Sequence, residues 1–185
     1  NNAKINVTNT AGVTFSKNIT IGTGGTFTLP ARGSTGSGLV AYYPFCGNAN
    51  DISGNNNNAT VFGASLTADR FGILNSAYSF NQSVSNNYMS IASSSSLNII
   101  GSLTLSFWFS AANTNAGYIL DRDICNPNPD WSIRWEGSKI IARYGIVGQD
   151  FEISSSVIPI NTWNLVTVVR NTSTGKLSLF INGLL

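Results

Sequence analysis

From Leu39 onward the chain alternates short apolar stretches with runs of Asn, Ser, Gly and Asp. The clearest stretch is Leu103-Thr104-Leu105-Ser106-Phe107-Trp108-Phe109, whose period of two places Leu103, Leu105, Phe107 and Phe109 on one face, as in a half-buried strand. Trp131 to Glu136 alternates in the same way, with Trp131, Ile133 and Trp135 sharing a face. Gly137-Ser138 then reads as a hairpin turn into Lys139 to Tyr144,. Further strands are predicted at Leu39–Phe45, Ala59–Gly63, Ser76–Phe80, Tyr88–Ile91, Tyr118–Leu120, Phe151–Ile153, the Val-rich stretch from Ile160 to Arg170, and Leu177–Ile181. Asn182-Gly183 carries the signature of a type I′ turn,. Ser93–Leu97 suits a single helical turn with a serine cap,, and no stretch has the 3.6 period of an amphipathic helix. Many short strands joined by turns predict an all-β chain, an antiparallel β-sandwich.

Residues 1–37 differ from the rest. Four β-prone stretches, including Lys4-Ile5-Asn6-Val7 and Thr26-Phe27-Thr28-Leu29, are too short to bury a core by themselves,. The Gly, Ser and Thr between Pro30 and Gly38 read as a linker,. We therefore expect a β-rich N-terminal segment and linker over 1–37, either the tail of a preceding domain or strands appended to the main one. The main β-sandwich is expected over 38–185.

Charge is scarce. Asp, Glu, Lys and Arg make up 10% of the 185 residues, against about 25% in a typical soluble domain, and the polarity comes from Asn, Ser, Thr and Gly instead. The ten cationic residues are scattered singly, which gives no basic patch for nucleic acid. No apolar run approaches the ~18 residues that span a bilayer. The composition is that of an extracellular or cell-surface protein. In such a setting Cys46 and Cys125 can pair and close a long loop, and two unpaired buried thiols are the alternative.

Histidine is absent, which removes histidine-dependent nucleophilic catalysis and His-ligated zinc. The two glutamates, Glu136 and Glu152, fall on different predicted strands and do not form an evident pair for glycoside hydrolysis. Two polar loops concentrate the remaining oxygens. In the first, Asp51 stands among amides with Asn48 and Asn55, and such a loop either closes on its own Asx turns or wraps calcium in oxygen ligands. In the second, Asp121, Asp123 and Asp130 form a weaker candidate of the same kind, with arginine-paired, solvated acids as the alternative.

The stretch Gly38 to Phe80 closely resembles the opening of bacterial laminin G-like, concanavalin A-like jelly-roll domains. The resemblance is carried by Leu39-Val40-Ala41-Tyr42-Tyr43-Pro44-Phe45, Gly47-Asn48-Ala49-Asn50-Asp51, Ser53-Gly54-Asn55, Asp69-Arg70-Phe71-Gly72 and Ser76-Ala77-Tyr78-Ser79-Phe80. Leu105 to Phe109, Trp163-Asn164-Leu165-Val166 and Leu179-Phe180-Ile181-Asn182-Gly183 follow in order, so it covers about four-fifths of the chain. It implies a jelly-roll sandwich, a structural calcium ion, and adhesion or recognition through a glycan or a surface protein. A sugar site would draw on Asn126, Asn128, Asp130, Arg134 and Tyr144, beside Trp131 and Trp135, for which alternation also predicts a core role. The Glu-x-Asp-x-x-Glu motif of jelly-roll glycosidases is not matched, so no enzymatic activity is expected.

Two departures from the family pattern stand out. Cys46 occupies a position where such domains usually carry Asn or Asp, which suggests a bridge to Cys125 peculiar to this chain. That bridge would draw the two polar loops together. Further strands normally follow a turn such as Asn182-Gly183, so the expectation is a fragment of a longer protein with neighbouring domains, or a partner strand that completes the sheet. A passive structural or spacer module in a surface adhesin or extracellular filament is the alternative function.

Overall fold

The chain divides into two units, Asn1–Gly38 and Leu39–Leu185. The computed structural model describes residues 38–81, 83–122, 130–146 and 149–185. The strands and linker expected within 1–37 lie outside the described residues.

Eleven strands are described: β1 (Ala59–Phe62), β2 (Ser65–Thr67), β3 (Ala77–Ser79), β4 (Tyr88–Ile91), β5 (Leu103–Phe109), β6 (Gly117–Arg122), β7 (Asp130–Glu136), β8 (Lys139–Ile146), β9 (Gln149–Ser154), β10 (Asn164–Asn171) and β11 (Lys176–Ile181). Every pairing is antiparallel. A three-stranded sheet in the order β11-β10-β5 faces a four-stranded sheet in the order β6-β7-β8-β9, and two ribbons, β1-β4 and β2-β3, complete the described strands.

Register decides what enters the core, because residues directly opposite in a ladder point to the same side. In the three-stranded sheet Val166 pairs with Phe107 and Ile181, and Val168 with Leu105 and Leu179. In the four-stranded sheet Ile133 pairs with Ala142, and Trp135 with Ile140. These rows meet between the sheets, where Ile133, Ile140 and Val166 are the most completely buried large side chains. The Trp135 ring packs 5.5 Å from Phe109 and its Nε1 donates to the Asn113 carbonyl at 2.8 Å. Trp135 thus takes the core role that its alternation allowed. An irregularity in β6 between Tyr118 and Leu120 turns both Ile119 and Leu120 against the core, as an extra residue in one strand permits. Both tight hairpin turns match their sequences. Gly137 and Ser138 have φ of 56° and 65°, and Asn182 and Gly183 have 53° and 81°, the paired positive values of a type I′ turn.

Two local expectations differ from the structure. Ser93–Leu97 makes a turn, not a helix, although the Ser94 hydroxyl does accept from the Leu97 amide at 3.3 Å in the manner of a cap. Leu39–Phe45 lies outside every strand and is not buried: Tyr42 is 42% exposed. Pro44 has no N–H to give a ladder, and Phe45 has φ of 56°, which no strand tolerates. Side chains of the following loop take the place of a neighbouring strand.

Asp51 is the centre of that substitution. It is 8% exposed. Its Oδ1 accepts from the amides of Tyr42 and Ser53, both at 2.8 Å. Its Oδ2 accepts from the Ser53 hydroxyl at 2.8 Å and the Asn57 amide at 3.0 Å. Asn57, also buried, passes the connection on: its Nδ2 donates to the Val40 carbonyl at 2.9 Å, and its Oδ1 accepts from Ser94 at 2.7 Å. The Tyr43 hydroxyl donates to the Asn57 carbonyl, and burial, aided by the Asp51 charge, pushes it up to about 12. Burial also pushes the Asp51 carboxyl up, but the donors around it outweigh that effect and hold it below its ordinary value,.

The next turn clamps this segment to the three-stranded sheet. Asp69 Oδ1 accepts from the amides of Phe71 and Ile73, each at 2.9 Å, and the turn holds Arg70 between two rings. Its guanidinium lies 4.1 Å from the Phe71 centroid and 4.3 Å from that of Trp108 on the outer face of β5, an arrangement worth about 0.5–2 kcal/mol.

Asp51→Ala leaves three backbone amides and a hydroxyl without their acceptor, and should lower the unfolding free energy by about 3–5 kcal/mol. Asp51→Asn turns an NH2 group toward donors and should cost about 2 kcal/mol or more. Urea denaturation in chelator measures both. Because the folded carboxyl titrates below the unfolded one, its contribution is complete above about pH 3.9. It is lost as pH falls through the lower folded value. The wild-type and Asp51→Ala curves should therefore converge on acidification, and a constant gap down to pH 2 would contradict the assignment.

Candidate functional site

Asp51 and Asn48 of the first loop, proposed for calcium, accept hydrogen bonds from the chain itself through their side-chain oxygens, and Asn55 is held through its side-chain nitrogen. Asp51 holds the four donors just described. Asn48 Oδ1 accepts from the Asn50 amide at 2.9 Å, which is an Asx turn. Asn55 Nδ2 donates to the carbonyls of Leu39 at 3.1 Å and Val40 at 3.0 Å. The structure brings Asp51 and Asn55 onto the same Leu39–Tyr42 backbone, with N–H and O–H groups facing the carboxylate. Among the described residues no three of the His, Cys, Asp and Glu side chains gather as a metal cluster.

The second loop is described only at its margins. Asp121 is exposed on β6 opposite Ser132, Asp130 opens β7 opposite Gly145, and Asp123, Asn126 and Asn128 lie outside the described residues. Cys125 does too. Cys46 is exposed, with its Sγ 3.7 Å from the Pro44 carbonyl oxygen.

Two members of the expected sugar site, Arg134 and Tyr144, are not brought together. Arg134 points to the outer face of the four-stranded sheet. There its Nε lies 3.1 Å from Glu136 Oε2 and its Nη2 3.3 Å from Glu152 Oε2. Tyr144, paired with Trp131, is on the inner face, is 8% exposed, and carries the Arg170 guanidinium 4.1 Å over its ring. Register parity separates these two side chains, so Tyr144 cannot offer a surface platform beside Arg134. The same outer face also carries the Arg143–Asp150 pair at 2.9 Å.

An exposed aromatic platform occurs elsewhere. In the β1-β4 ribbon Phe62 lies directly opposite Tyr88 and Thr60 opposite Ser90. The two rings stack with centroids 4.8 Å apart and planes at 22°, yet Phe62 is 39% and Tyr88 46% exposed. The other face of β1 carries the more buried Ala59 and Val61. The ribbon thus turns one apolar row inward and presents a stacked aromatic pair, flanked by two hydroxyls, outward. The backbone beyond it is tightly held: Asn87 Nδ2 donates to the Gly63 carbonyl at 2.9 Å, and a side chain at Gly63 would meet the Asn86 carbonyl oxygen at 2.7 Å. The signal for this platform is the adjacency Val61-Phe62. Two neighbouring apolar residues on a strand cannot both face the same core, and the larger one faces out.

Comparison with known proteins agrees with the architecture. A family model of the concanavalin A-like lectin/glucanases superfamily matches residues 83–185, while no curated protein and no solved structure matches the chain. The matched span begins just before β4 and includes both facing sheets, downstream of the Gly38–Phe80 stretch on which the resemblance was first drawn. With more than half of its residues matched and its strands arranged as two facing antiparallel sheets, the chain belongs to the concanavalin A-like lectin/glucanases superfamily.

Proposed function

We propose that the protein is a non-enzymatic recognition module of an extracellular or cell-surface protein, and that it binds glycan through the outward face of the β1-β4 ribbon. The observation that carries this reading is the exposed Phe62–Tyr88 stack beside the Thr60–Ser90 pair. The stacked rings keep their outer faces and edges free for the C–H side of a sugar ring, and adjacent hydroxyls exchange hydrogen bonds with its rim,. Domains of this superfamily often bind carbohydrate or protein. The non-enzymatic part is supported by the glutamates: both are paired with Arg134 on an exposed sheet face and do not flank a cleft.

A glycan array probed with the wild-type protein should give discrete hits. The Phe62→Ala/Tyr88→Ala double variant should weaken them about tenfold, the loss of about 1.4 kcal/mol. An empty array would favour the alternative, a structural spacer module. Hits that persist in the double variant would move the site elsewhere on the sandwich.

The exported reading also carries the Cys46–Cys125 pairing. Unreduced, denatured protein should then show no alkylatable thiol by mass spectrometry, and two labelled cysteines would exclude the bridge. A structural calcium ion belongs to the same reading. It requires a higher thermal midpoint in calcium than in chelator, and equal midpoints would remove the ion.

A further inference from the structure

Charge is distributed unevenly along this chain. From Ile52 to Ala68 and from Phe71 to Ser102 there is no Asp, Glu, Lys or Arg. These two stretches contain both strands of the β1-β4 ribbon and the loops attached to them. Their polarity comes wholly from Asn, Gln, Ser, Thr, Tyr and the backbone.

The charged residues that border the two stretches are engaged elsewhere. Asp51 is buried beneath its four donors. Asp69 accepts two amides of its own turn, and Arg70 lies between the rings of Phe71 and Trp108. Arg122 reaches Asn98, past the end of β4 that is remote from the rings, and donates to its Oδ1 at 3.0 Å. Arg170 enters the core from β10 and is 5% exposed, with Nε and Nη1 buried and without an acceptor. Arg134, Arg143, Glu136, Asp150 and Glu152 form ion pairs on the outer face of the four-stranded sheet. The outward face of the ribbon is therefore an uncharged surface in an uncharged neighbourhood.

That decides which ligands gain there. A carboxylate or sulfate laid on this face gives up hydration and receives no ion pair in return, a net cost for a charged group. A neutral sugar gives up only the hydration of its hydroxyls. The Thr60 and Ser90 hydroxyls, each donor and acceptor, return those hydrogen bonds,.

The shape of the face adds a second selection. Successive side chains on one side of a strand stand about 6.7 Å apart, so the Phe62–Tyr88 row and the Thr60–Ser90 row lie side by side with room for two consecutive sugar residues. All four side chains are exposed, and so are Asn58 and Ala92 at one end of the ribbon and Asn86 at the other. A surface open at both ends accepts the interior of a chain, whereas a chain terminus is recognised by a closed pocket.

We propose, resting on the glycan reading above, that the ligand of this face is the interior of a neutral polysaccharide, with one sugar against Phe62 and Tyr88 and the next against Thr60 and Ser90.

A glycan array carrying neutral and acidic chains, read with wild-type protein at about 0.05 M and about 0.5 M sodium chloride, tests the charge selection. The hits should be uncharged glycans whose signals agree within about twofold between the two salts, because no ion pair is present to be screened. Calorimetric titration with the monosaccharide and the trisaccharide of the strongest neutral hit tests the second subsite. Lengthening should tighten binding about tenfold, the worth of one or two hydrogen bonds. In Thr60→Ala/Ser90→Ala that gain should fall to about twofold or less, with the monosaccharide affinity unchanged. The Phe62→Ala/Tyr88→Ala variant should weaken both lengths. Acidic hits that Phe62→Ala/Tyr88→Ala abolishes would keep the glycan reading and overturn this inference. A monosaccharide that binds as tightly as the trisaccharide, or an undiminished gain in Thr60→Ala/Ser90→Ala, would also overturn it. An empty array removes the glycan reading and this inference together.

Discussion

The constraint on which this fold depends is the period of two. Once Val166 and Val168 enter the space between the sheets, every second residue of β10 must follow, and their partners on β5 and β11 are committed with them,. The same rule on β7 and β8 sends Ile133, Trp135, Ile140 and Ala142 to meet them. The core is therefore made by two ladders whose registers agree, and a slip of one residue in either would exchange Val166 for the partly exposed Leu165 or Thr167. Arg170 shows how strongly the rule holds. The ladder carries a charged side chain inward because the strand has no irregularity there to turn it out.

Where no ladder forms, side chains do the work of backbone. The segment from Leu39 to Phe45 lacks a neighbouring strand, and its Pro44 and the positive φ of Phe45 forbid one. Asp51, Asn55 and Asn57 satisfy its amides and carbonyls instead. A carboxylate is suited to this because it accepts four hydrogen bonds from donors arriving along different chains of the loop. The price is desolvation, which the depressed pKa shows to be more than offset.

Much of this was legible in the residues. The faces of β5 and β7 and both tight hairpin turns follow from alternation and from Gly137-Ser138 and Asn182-Gly183, since period and turn chemistry are local properties. The short strand Ser65–Thr67 was not foreseen, because three residues carry no period. Leu39–Phe45 was foreseen as a strand because its apolar content is that of a strand, and composition is blind to a missing partner. Tyr144 enters the expected sugar site because sugars stack on aromatic rings, and ring chemistry does not say which face of β8 the ring takes; the register turns it inward. Phe62 and Tyr88 escaped because each is unremarkable alone, and only the cross-strand register makes them a pair.

That last point separates two kinds of departure from the pattern in this sandwich. Phe62 and Tyr88 sit where the apolar pattern has one residue too many for the core, so an aromatic surface is left outside. Arg170 sits where the pattern has one apolar residue too few, so a charge is left inside. Both are departures from the pattern that builds the fold, and neither benefits stability in an obvious way: exposed rings gain little from burial, and an unpaired buried guanidinium costs free energy. Local violations of an otherwise consistent pattern are the places where a ligand has something to complete, and of these two the outer one is open to solvent.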